Sequence, residues 1–271
     1  MSAPVTLPIR EVEKVWGRTG LPAPFAAAAS EARIGEIWFE PQAPCDGLLA
    51  KYLFTSEKLS VQVHPDDAQA PEGSRGKEEC WLVLDAEPDA RLAIGFRHNV
   101  MPEQIRAAAL DGSIEQLLDW HRARRGDFFY LPAGTVHAIG PGLSLVEIQQ
   151  NSDITYRLYD YGRPRELHLD AAMDVAQGTR YDGRWHQRVD FTTNIALVRG
   201  PHFTLDLVTD GAAFRPRHAR LPMMILPLAG DVHADGEVIE QGGCAIVAPG
   251  AALDVAPGGC VLVASDLSPA A

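Results

Sequence analysis

Four side chains that could bind a divalent metal ion lie in three short segments of the sequence. The run KLSVQVH at positions 58–64 alternates apolar and polar residues, so an extended strand would present Gln62 and His64 on one face. The segment GKEECWLVL contributes Glu79, and PAGTVHAIG places His137 directly after a Pro/Gly turn. Two imidazole nitrogens, a carboxylate and an amide oxygen suit a divalent transition metal and leave room for water or substrate. We therefore predict a metal site at these four residues.

Charged side chains accompany these predicted ligands. In an extended strand, Lys77 points to the same side as Glu79, and Asp153 and Arg157 share one face of the segment SDITYR. Each feature alone also has an ordinary explanation, as a histidine at a strand end or a glutamate at a solvated edge. Their combination favours a functional site.

The overall charge excludes several classes of partner. The 271-residue chain has 24 Lys and Arg residues against 36 Asp and Glu residues, which gives a formal net charge of -12. Because nucleic acids and anionic membranes are bound by clustered Lys and Arg side chains, we expect neither partner. A phosphorylated ligand would therefore be a small molecule held by a local basic pocket.

The cysteines and the N-terminal segment indicate a cytoplasmic protein. Cys45, Cys80, Cys244 and Cys260 show no CxxC spacing and no zinc-knot pattern, so we expect reduced thiols. The first residues, MSAPVTLPIREVEKVWG, contain Arg and Glu where a signal peptide needs an apolar core. No apolar run reaches the length of about 18 residues that a membrane helix needs.

Short apolar runs bounded by Gly, Pro, Asp or Asn favour a mainly β fold. Runs such as RLAIGF, LSLVEIQQ, FTLDLV and CVLVASD recur along the chain and predict a barrel or a sandwich. Residues 102–120 are the exception and predict two short helices. Pro102 suits a first helical turn, Asp111 and Gly112 break the run, and Ser113 with Gln116 resembles a capping box.

A weak internal repeat indicates two barrels. GDFFYLPAGTVH starts at Gly126 and GCAIVAPGA starts at Gly243, and in each a glycine, five residues and a proline follow one another. The second copy has no histidine at the matching place, so we expect it to be degenerate. We predict a metal-bearing domain of residues 1–175, with a helical insertion near 102–120, and a degenerate C-terminal domain of residues 176–271.

The segment from Gly126 to His137 resembles the second motif of the cupin superfamily, G(x)5PxG(x)2H. The first cupin motif supplies HxH and a following Glu, and Gln62 stands here in place of its first histidine, as in type I phosphomannose isomerases. The resemblance to that family covers most of residues 11–175. It rests on KVWG at 14–17, GEIW at 35–38, LLAKYL at 48–53, LSVQVHPDD at 59–67, GKEECW at 76–81, GDFFYLPAGTVHAIG at 126–140, EIQQNSDITYRLYDYGR at 147–163 and RELHLD at 165–170. It implies a bicupin fold, two jelly-roll β-barrels of which the second is degenerate, with short inserted helices.

The resemblance implies a zinc-dependent interconversion of mannose 6-phosphate and fructose 6-phosphate. The family's residues match Gln62, His64, Glu79 and His137 as ligands of one zinc ion per chain, and Lys77, Asp153 and Arg157 as catalytic residues. The reaction moves a proton between C1 and C2 through an enediol, so the site has to stabilise negative charge on oxygen and transfer one proton.

The division of catalytic roles is a hypothesis. We expect Arg157 to act as an electrostatic catalyst, because its guanidinium is always charged and bidentate. Lys77 would be the proton carrier or a phosphate ligand, and as a base it needs a pKa lowered by burial and by the neighbouring cation. Asp153 would orient the substrate or relay the proton. Lys51, in LLAKYL, either points into the same pocket or is an ordinary strand lysine.

The chain departs from the family near the pocket, and this keeps other functions open. Only PQAPCD lies between Glu40 and Gly47, where a longer segment of the pocket wall is expected, and Gly76 stands where larger members carry a histidine. An opened pocket would suit a second function, a non-catalytic cupin that retains its metal and binds a sugar phosphate. A third, an iron-dependent dioxygenase, is disfavoured by Gln62 and by the charge of Lys77 and Arg157.

Overall fold

Strands make up most of the regular structure. The computed structural model describes residues 3–28 and 31–268. The strands up to residue 160 are β1 (Val5–Thr6), β2 (Ile9–Arg18), β3 (Ile34–Phe39), β4 (Leu48–Thr55), β5 (Val61–Val63), β6 (Glu79–Ala86), β7 (Arg91–Phe96), β8 (Leu118–Arg122), β9 (Asp127–Leu131), β10 (His137–Ile139), β11 (Leu143–Gln150) and β12 (Tyr156–Tyr159). Those that follow are β13 (His186–Arg188), β14 (Ile195–Arg199), β15 (Phe203–Val208), β16 (Met223–Ala229), β17 (Val232–Ala234), β18 (Glu237–Ile239), β19 (Ala245–Val247), β20 (Leu253–Val255) and β21 (Cys260–Asp266). The helices are α1 (Pro102–Asp111), α2 (Ile114–Leu117) and α3 (Leu169–Val175), and single 3-10 turns lie at Phe25–Ala28 and Gly183–Trp185. The predicted mainly β class is confirmed.

Two sheets of the first part of the chain face each other. One has seven strands in the order β13-β9-β6-β11-β4-β3-β2, and the other has five in the order β12-β5-β10-β7-β8. Their facing sides share an apolar cluster to which Trp81 and Leu145 contribute from the first sheet and Ile94 and Ile139 from the second. Because side chains alternate along a strand, polar residues at the open end of this interior can line a cavity.

Helices cover the outer face of the five-stranded sheet. Val61 and Val63 of β5 pack there against α1, α2 and α3, which explains why this β fold carries a helical insertion. The two predicted helices are confirmed, and Gly112, with φ 82°, adopts the left-handed conformation that ends α1. Within the described residues, no helix is both long enough and apolar enough to span a membrane.

The predicted capping box at Ser113 and Gln116 is wrong. The backbone of Ser113 is helical (φ -70°, ψ -7°), so its side chain makes no capping hydrogen bond to the start of α2. An extended backbone is what normally aims a capping side chain at the first amides of a helix. The helical insertion also ends earlier than expected, because residues from Leu118 onward form β8 and pair with β7.

The C-terminal part of the chain packs on the outer face of the seven-stranded sheet. It forms a six-stranded sheet, β1-β19-β16-β21-β15-β14, and a three-stranded sheet, β18-β17-β20. One apolar cluster joins Tyr52 and Ile148 of the seven-stranded sheet to Leu205 and Leu262 of the six-stranded sheet. Strands are also exchanged, since β1 pairs with β19 and β13 pairs with β9. The division into domains 1–175 and 176–271 stays a prediction.

Candidate metal and substrate site

The short strand β5 brings three of the predicted residues into one row. Gln62 lies directly opposite His137 of β10 on one side and opposite Arg157 of β12 on the other. Residues that pair directly across antiparallel strands point to the same face of the sheet. Here that face is the interior between the two sheets, and His64 follows immediately at the end of β5.

Glu79 completes a compact group of donor atoms with the two histidines. As the first residue of β6, it places Oε1 3.3 Å from His137 Nε2 and Oε2 3.5 Å from His64 Nε2. One donor atom from each of the three residues lies within 4.8 Å of the others. The Gln62 amide adjoins this group, with its Nε2 atom 3.2 Å from His137 Nε2. The structure therefore brings the four predicted residues together, with the Gln62 amide turning its nitrogen to His137 and its oxygen to Ser60 Oγ, 3.2 Å away.

The surroundings of the two histidines suit a metal ion. The Nδ1 atom of His64 donates to the carbonyl of Ile154 at 2.8 Å, and that of His137 donates to the carbonyl of Thr135 at 2.9 Å. This arrangement leaves both Nε2 lone pairs directed at the centre. Burial lowers the pKa of both imidazoles, so both are neutral as metal binding requires.

The carboxylate of Glu79 also has the properties of a ligand. It is buried to 1% exposure, and among the described residues its Oε1 atom has no hydrogen-bond partner. A buried carboxylate oxygen without a hydrogen bond is costly unless a cation compensates it. The donor set of His64, Glu79 and His137, with the Gln62 amide beside it, therefore fits a divalent cation.

Lys77 lies beside this group. Its Nζ atom is 2.9 Å from Glu79 Oε2 and 3.2 Å from His64 Nε2, and the side chain is buried. Burial by itself lowers the pKa of Lys77, but the carboxylates of Glu79 and Glu147 outweigh burial and raise the pKa above its usual value. In this structure Lys77 is therefore an ammonium ion.

A row of side chains across the seven-stranded sheet forms the opposite wall. Register pairs Trp38 with Lys51, Lys51 with Glu147, and Glu147 with Trp81. Lys51 Nζ donates to Glu147 Oε1 at 3.0 Å, Trp81 Nε1 donates to Glu147 Oε2 at 3.0 Å, and the Trp81 ring meets the His137 ring edge-on at 5.3 Å. Burial alone would raise the pKa of Glu147, but the positive charges of Lys51 and Lys77 outweigh burial and lower the pKa to about 2. Lys51 is thus a buried residue of the site.

The two rows enclose a cavity of about 370 Å³. It is lined by Lys14, Trp16, Glu36, Trp38, Lys51, Leu53, Leu59, Ser60, Gln62, Lys77, Ile139, Glu147, Asp153, Thr155, Arg157 and Arg165. Five of these side chains are basic and three are acidic, although the whole chain is strongly acidic. A volume in this range suits a small molecule, since ligand pockets measure about 300 to 1,000 Å³.

Arg157 differs from the other basic residues of the cavity. Lys14, Lys51, Lys77 and Arg165 each form an ion pair with a carboxylate. Arg157 forms none with the described residues; its Nη1 atom donates to the carbonyl of Glu166 at 2.6 Å, and its Nε atom is buried without a partner. Burial, and then the neighbouring Arg165, lower its pKa below the usual value. This guanidinium is therefore available for an anionic ligand.

Several site residues escaped the sequence-based prediction. Lys14, Glu147 and Arg165 line the cavity. Each lies in a motif that carries the family resemblance, and this was the signal that could have found them. The sequence pattern also suggested no partner for His168, but the structure gives it one in Arg157. Its Nδ1 atom accepts from the backbone N–H of Arg157 at 3.1 Å, and its own backbone N–H donates to the carbonyl of Arg157 at 2.8 Å.

The shortened segment after Glu40 adds nothing to the wall of the cavity, since residues 40–47 do not line it. Whether the shortening opens the pocket stays a prediction. Cys45 belongs to the apolar cluster shared with the C-terminal part, and the backbone N–H of Gly47 donates to Asp266 Oδ2 at 2.8 Å. The segment that follows β3 therefore packs against the C-terminal part of the chain.

Comparison with known proteins identifies the family. Over 238 residues the chain is 32% identical to "Putative mannose-6-phosphate isomerase YvyI" of Bacillus subtilis (strain 168), covering 71% of this chain and 75% of that protein. The chain belongs to the mannose-6-phosphate isomerase family. "Mannose-6-phosphate isomerase ManA" of the same organism is 39% identical over 171 residues, 58% of this chain and 54% of its own length. The chain spans about half the length of this relative and of two others named as mannose-6-phosphate isomerases. No protein-family model matches the chain.

Solved structures of mannose-6-phosphate isomerases show the same fold. The Bacillus subtilis enzyme superimposes with a TM-score of 0.79 at 26% identity, over 97% of this chain and 99% of the other. A structure described as mannose 6-phosphate isomerase in the zinc-bound holo form has a TM-score of 0.71 over 98% of this chain, and at 12% identity the likeness shows only a shared fold. The predicted bicupin fold is confirmed.

Proposed function

We propose that the protein is a metal-dependent aldose-ketose isomerase that interconverts mannose 6-phosphate and fructose 6-phosphate. The observation that carries this proposal is the buried donor set of His64, Glu79 and His137 at a cavity where Arg157 has no carboxylate partner. A metal site beside a free guanidinium suits a reaction in which negative charge develops on a substrate oxygen. The names of the relatives support the same activity.

Zinc is the proposed metal, with one ion per chain. Gln62, His64, Glu79 and His137 would hold it, since neutral imidazole nitrogens and carboxylate or amide oxygens suit this ion. When bound, it supplies Lewis-acid polarisation of a substrate oxygen without redox change. The zinc-bound state described for the structural relative supports this choice.

The catalytic roles of the chain's own residues follow from their positions. Arg157 would stabilise the negative oxygen of the enediol, because it is held rigidly by the Glu166 carbonyl and faces the cavity. Lys77 carries a proton at Nζ between Glu79 and His64, and we propose it as the proton carrier or as a ligand of the phosphate. Asp153 is exposed at the cavity mouth, where its carboxylate would orient the sugar or relay the proton.

A sugar phosphate is the proposed substrate because the cavity concentrates positive charge. Lys14, Lys51 and Arg165 supplement Lys77 and Arg157, so a small phosphate ester meets more basic groups than the sequence motifs alone indicated. The protein would act on this small molecule without nucleic acid or membrane partners. A cytoplasmic location remains a prediction.

A coupled assay tests the proposal. The purified protein is incubated with mannose 6-phosphate, and fructose 6-phosphate is measured before and after removal of metal by a chelator and again after addition of zinc. We expect turnover that the chelator abolishes and zinc restores. Binding of the sugar phosphate without turnover would favour the non-catalytic alternative. Oxygen uptake by an iron-loaded protein would favour the dioxygenase.

A further inference from the structure

The loop between β5 and β6 connects residues of the candidate metal centre. It begins after His64 and ends with Lys77 and Glu78, immediately before Glu79. The loop contains no helix or strand, and one backbone hydrogen bond, from the N–H of Lys77 to the carbonyl of Pro65 at 2.9 Å, joins its ends; side-chain contacts supply the rest of the link. Its return is tight: a Cβ atom on Gly76 would lie 2.5 Å from the backbone of the residues at the loop's start.

Gln150, the last residue of β11, links the two ends of this loop. Its Oε1 atom accepts from the backbone N–H of Glu78 at 2.9 Å, and its Nε2 atom donates to Asp67 Oδ1 at 3.0 Å. Asp67 Oδ1 also accepts from the backbone N–H of Gly76 at 2.7 Å. Since a backbone N–H can only donate, the contact with Glu78 fixes which end of the Gln150 amide is oxygen.

His202 approaches this link from the C-terminal part of the chain. Its Nδ1 atom lies 3.2 Å from Gln150 Nε2 and 3.5 Å from Asp67 Oδ2, and its Nε2 atom lies 3.9 Å from Glu78 Oε1. Because the Gln150 nitrogen is a donor, His202 Nδ1 accepts, and the proton of the neutral ring is on Nε2, facing Glu78. The carbonyl of His202 accepts from the backbone N–H of Leu267 at 2.9 Å, which ties the residue to the end of β21.

We propose that His202 is a positioning residue of the candidate metal centre. It touches neither the donor atoms nor the cavity, but it holds Gln150 against both ends of the loop of residues 65–78. The geometry of Lys77 and Glu79 then depends on a residue of the degenerate barrel. This inference rests on the proposed function only in taking the donor set as a metal site.

Amide exchange and zinc affinity test the proposal without substrate. In His202→Ala we expect deuterium exchange of the segment 65–78 to become several-fold faster and zinc binding to weaken by about 10-fold, as for other residues that orient metal ligands. The matched control is His233→Ala, since His233 is exposed on β17 of the same part of the chain; both quantities should stay as in the unaltered protein. His202→Asn retains an oxygen acceptor near the Nδ1 position and should restore slow exchange.

Unchanged exchange in His202→Ala, an equal change in His233→Ala, or faster exchange without weaker zinc binding would overturn the proposal. If His202→Ala does not fold, Asp67→Ala tests the same link from the loop, because it removes the oxygen that accepts from both Gln150 Nε2 and the Gly76 backbone N–H; here too exchange should be faster and zinc weaker. Neither readout needs turnover. A protein that binds zinc in this His202-dependent way but does not isomerise mannose 6-phosphate would refute the proposed function alone.

Discussion

Lys51 and Glu147 form a buried ion pair directly across the neighbouring strands β4 and β11, with 3.0 Å between Nζ and Oε1. Removing one partner of such a pair leaves an uncompensated charge in the interior, which costs about 3 to 5 kcal/mol. We therefore expect Glu147→Gln to lower the free energy of unfolding by about that amount in urea denaturation near neutral pH. The double variant Lys51→Met/Glu147→Gln should recover much of the lost unfolding free energy. If its loss equalled the sum of the losses of the two single variants, the pairing would be contradicted.

The same carboxylate gives the stability a pH dependence of defined sign. The pKa of Glu147 falls from an ordinary 4.5 to about 2 in the folded protein, so between these values the unfolded chain binds more protons than the folded one. The contribution of Glu147 is therefore complete above about pH 4.5 and is lost as the pH falls toward 2. The difference in unfolding free energy between the unaltered protein and Glu147→Gln should narrow over that interval. A constant difference would show that Glu147 is not held ionised.

Loss of a single predicted ligand should abolish metal binding. His137→Ala removes an Nε2 lone pair that is directed at the metal centre, so we expect substoichiometric zinc in metal analysis and a drop in activity of at least about 100-fold. His98→Ala is the matched control, because His98 is exposed and lies outside the donor set. Full zinc content in His137→Ala would refute the assignment of the ligands.

Replacement of Arg157 should reduce turnover more than substrate binding. A lysine keeps the charge but loses the planar, bidentate fork, and the loss of one transition-state donor typically lowers kcat by about 100- to 1,000-fold. We expect Arg157→Lys to fall in this range in the coupled assay, while Arg217→Lys, at an exposed position, retains the original rate. Full turnover of Arg157→Lys would exclude the electrostatic role.

The tight return at Gly76 should be sensitive to a single added carbon. In Gly76→Ala the new Cβ would lie 2.5 Å from backbone atoms of Asp66 and Asp67, so the loop that carries Lys77 has to move. We expect a loss of about 1 to 3 kcal/mol in unfolding free energy and weaker zinc binding. Gly183→Ala is the control, because nothing lies within 4 Å of its added carbon. Equal behaviour of the two variants would show that the loop tolerates displacement.

Strand alternation predicted which faces the functional side chains occupy. Gln62 and the residues flanking it on β5 follow the alternation of KLSVQVH, and the helical insertion follows from Pro102 and Gly112. The order of strands within the sheets cannot be read from such local patterns, because register is a property of pairs that are distant in sequence. The contact of Lys51 with Glu147 spans 96 residues for that reason.

Charged and polar residues also hid structure from the sequence-based prediction. β2, with the sequence IREVEKVWGR, lies at a sheet edge and is largely exposed, so it lacks the apolar run that marks the other strands. His202 and Gln150 are 52 positions apart, and no spacing rule connects a turn before β15 with the end of β11. The motifs indicated the metal ligands, whereas the contacts that support them emerged only from the tertiary structure.

The exchange of strands between the two parts constrains how the molecule can be made. β1 is synthesised long before its partner β19, which lies at residues Ala245–Val247, so β1 stays unpaired until that part of the chain has been made. The sheet that carries Glu79 likewise lacks its edge strand until β13 has emerged. Pairings of such long sequence separation slow folding. A chain truncated before residue 245 would thus leave β1 unpaired and the apolar outer face of the seven-stranded sheet partly uncovered, so the C-terminal part supports the fold of the part that carries the metal ligands.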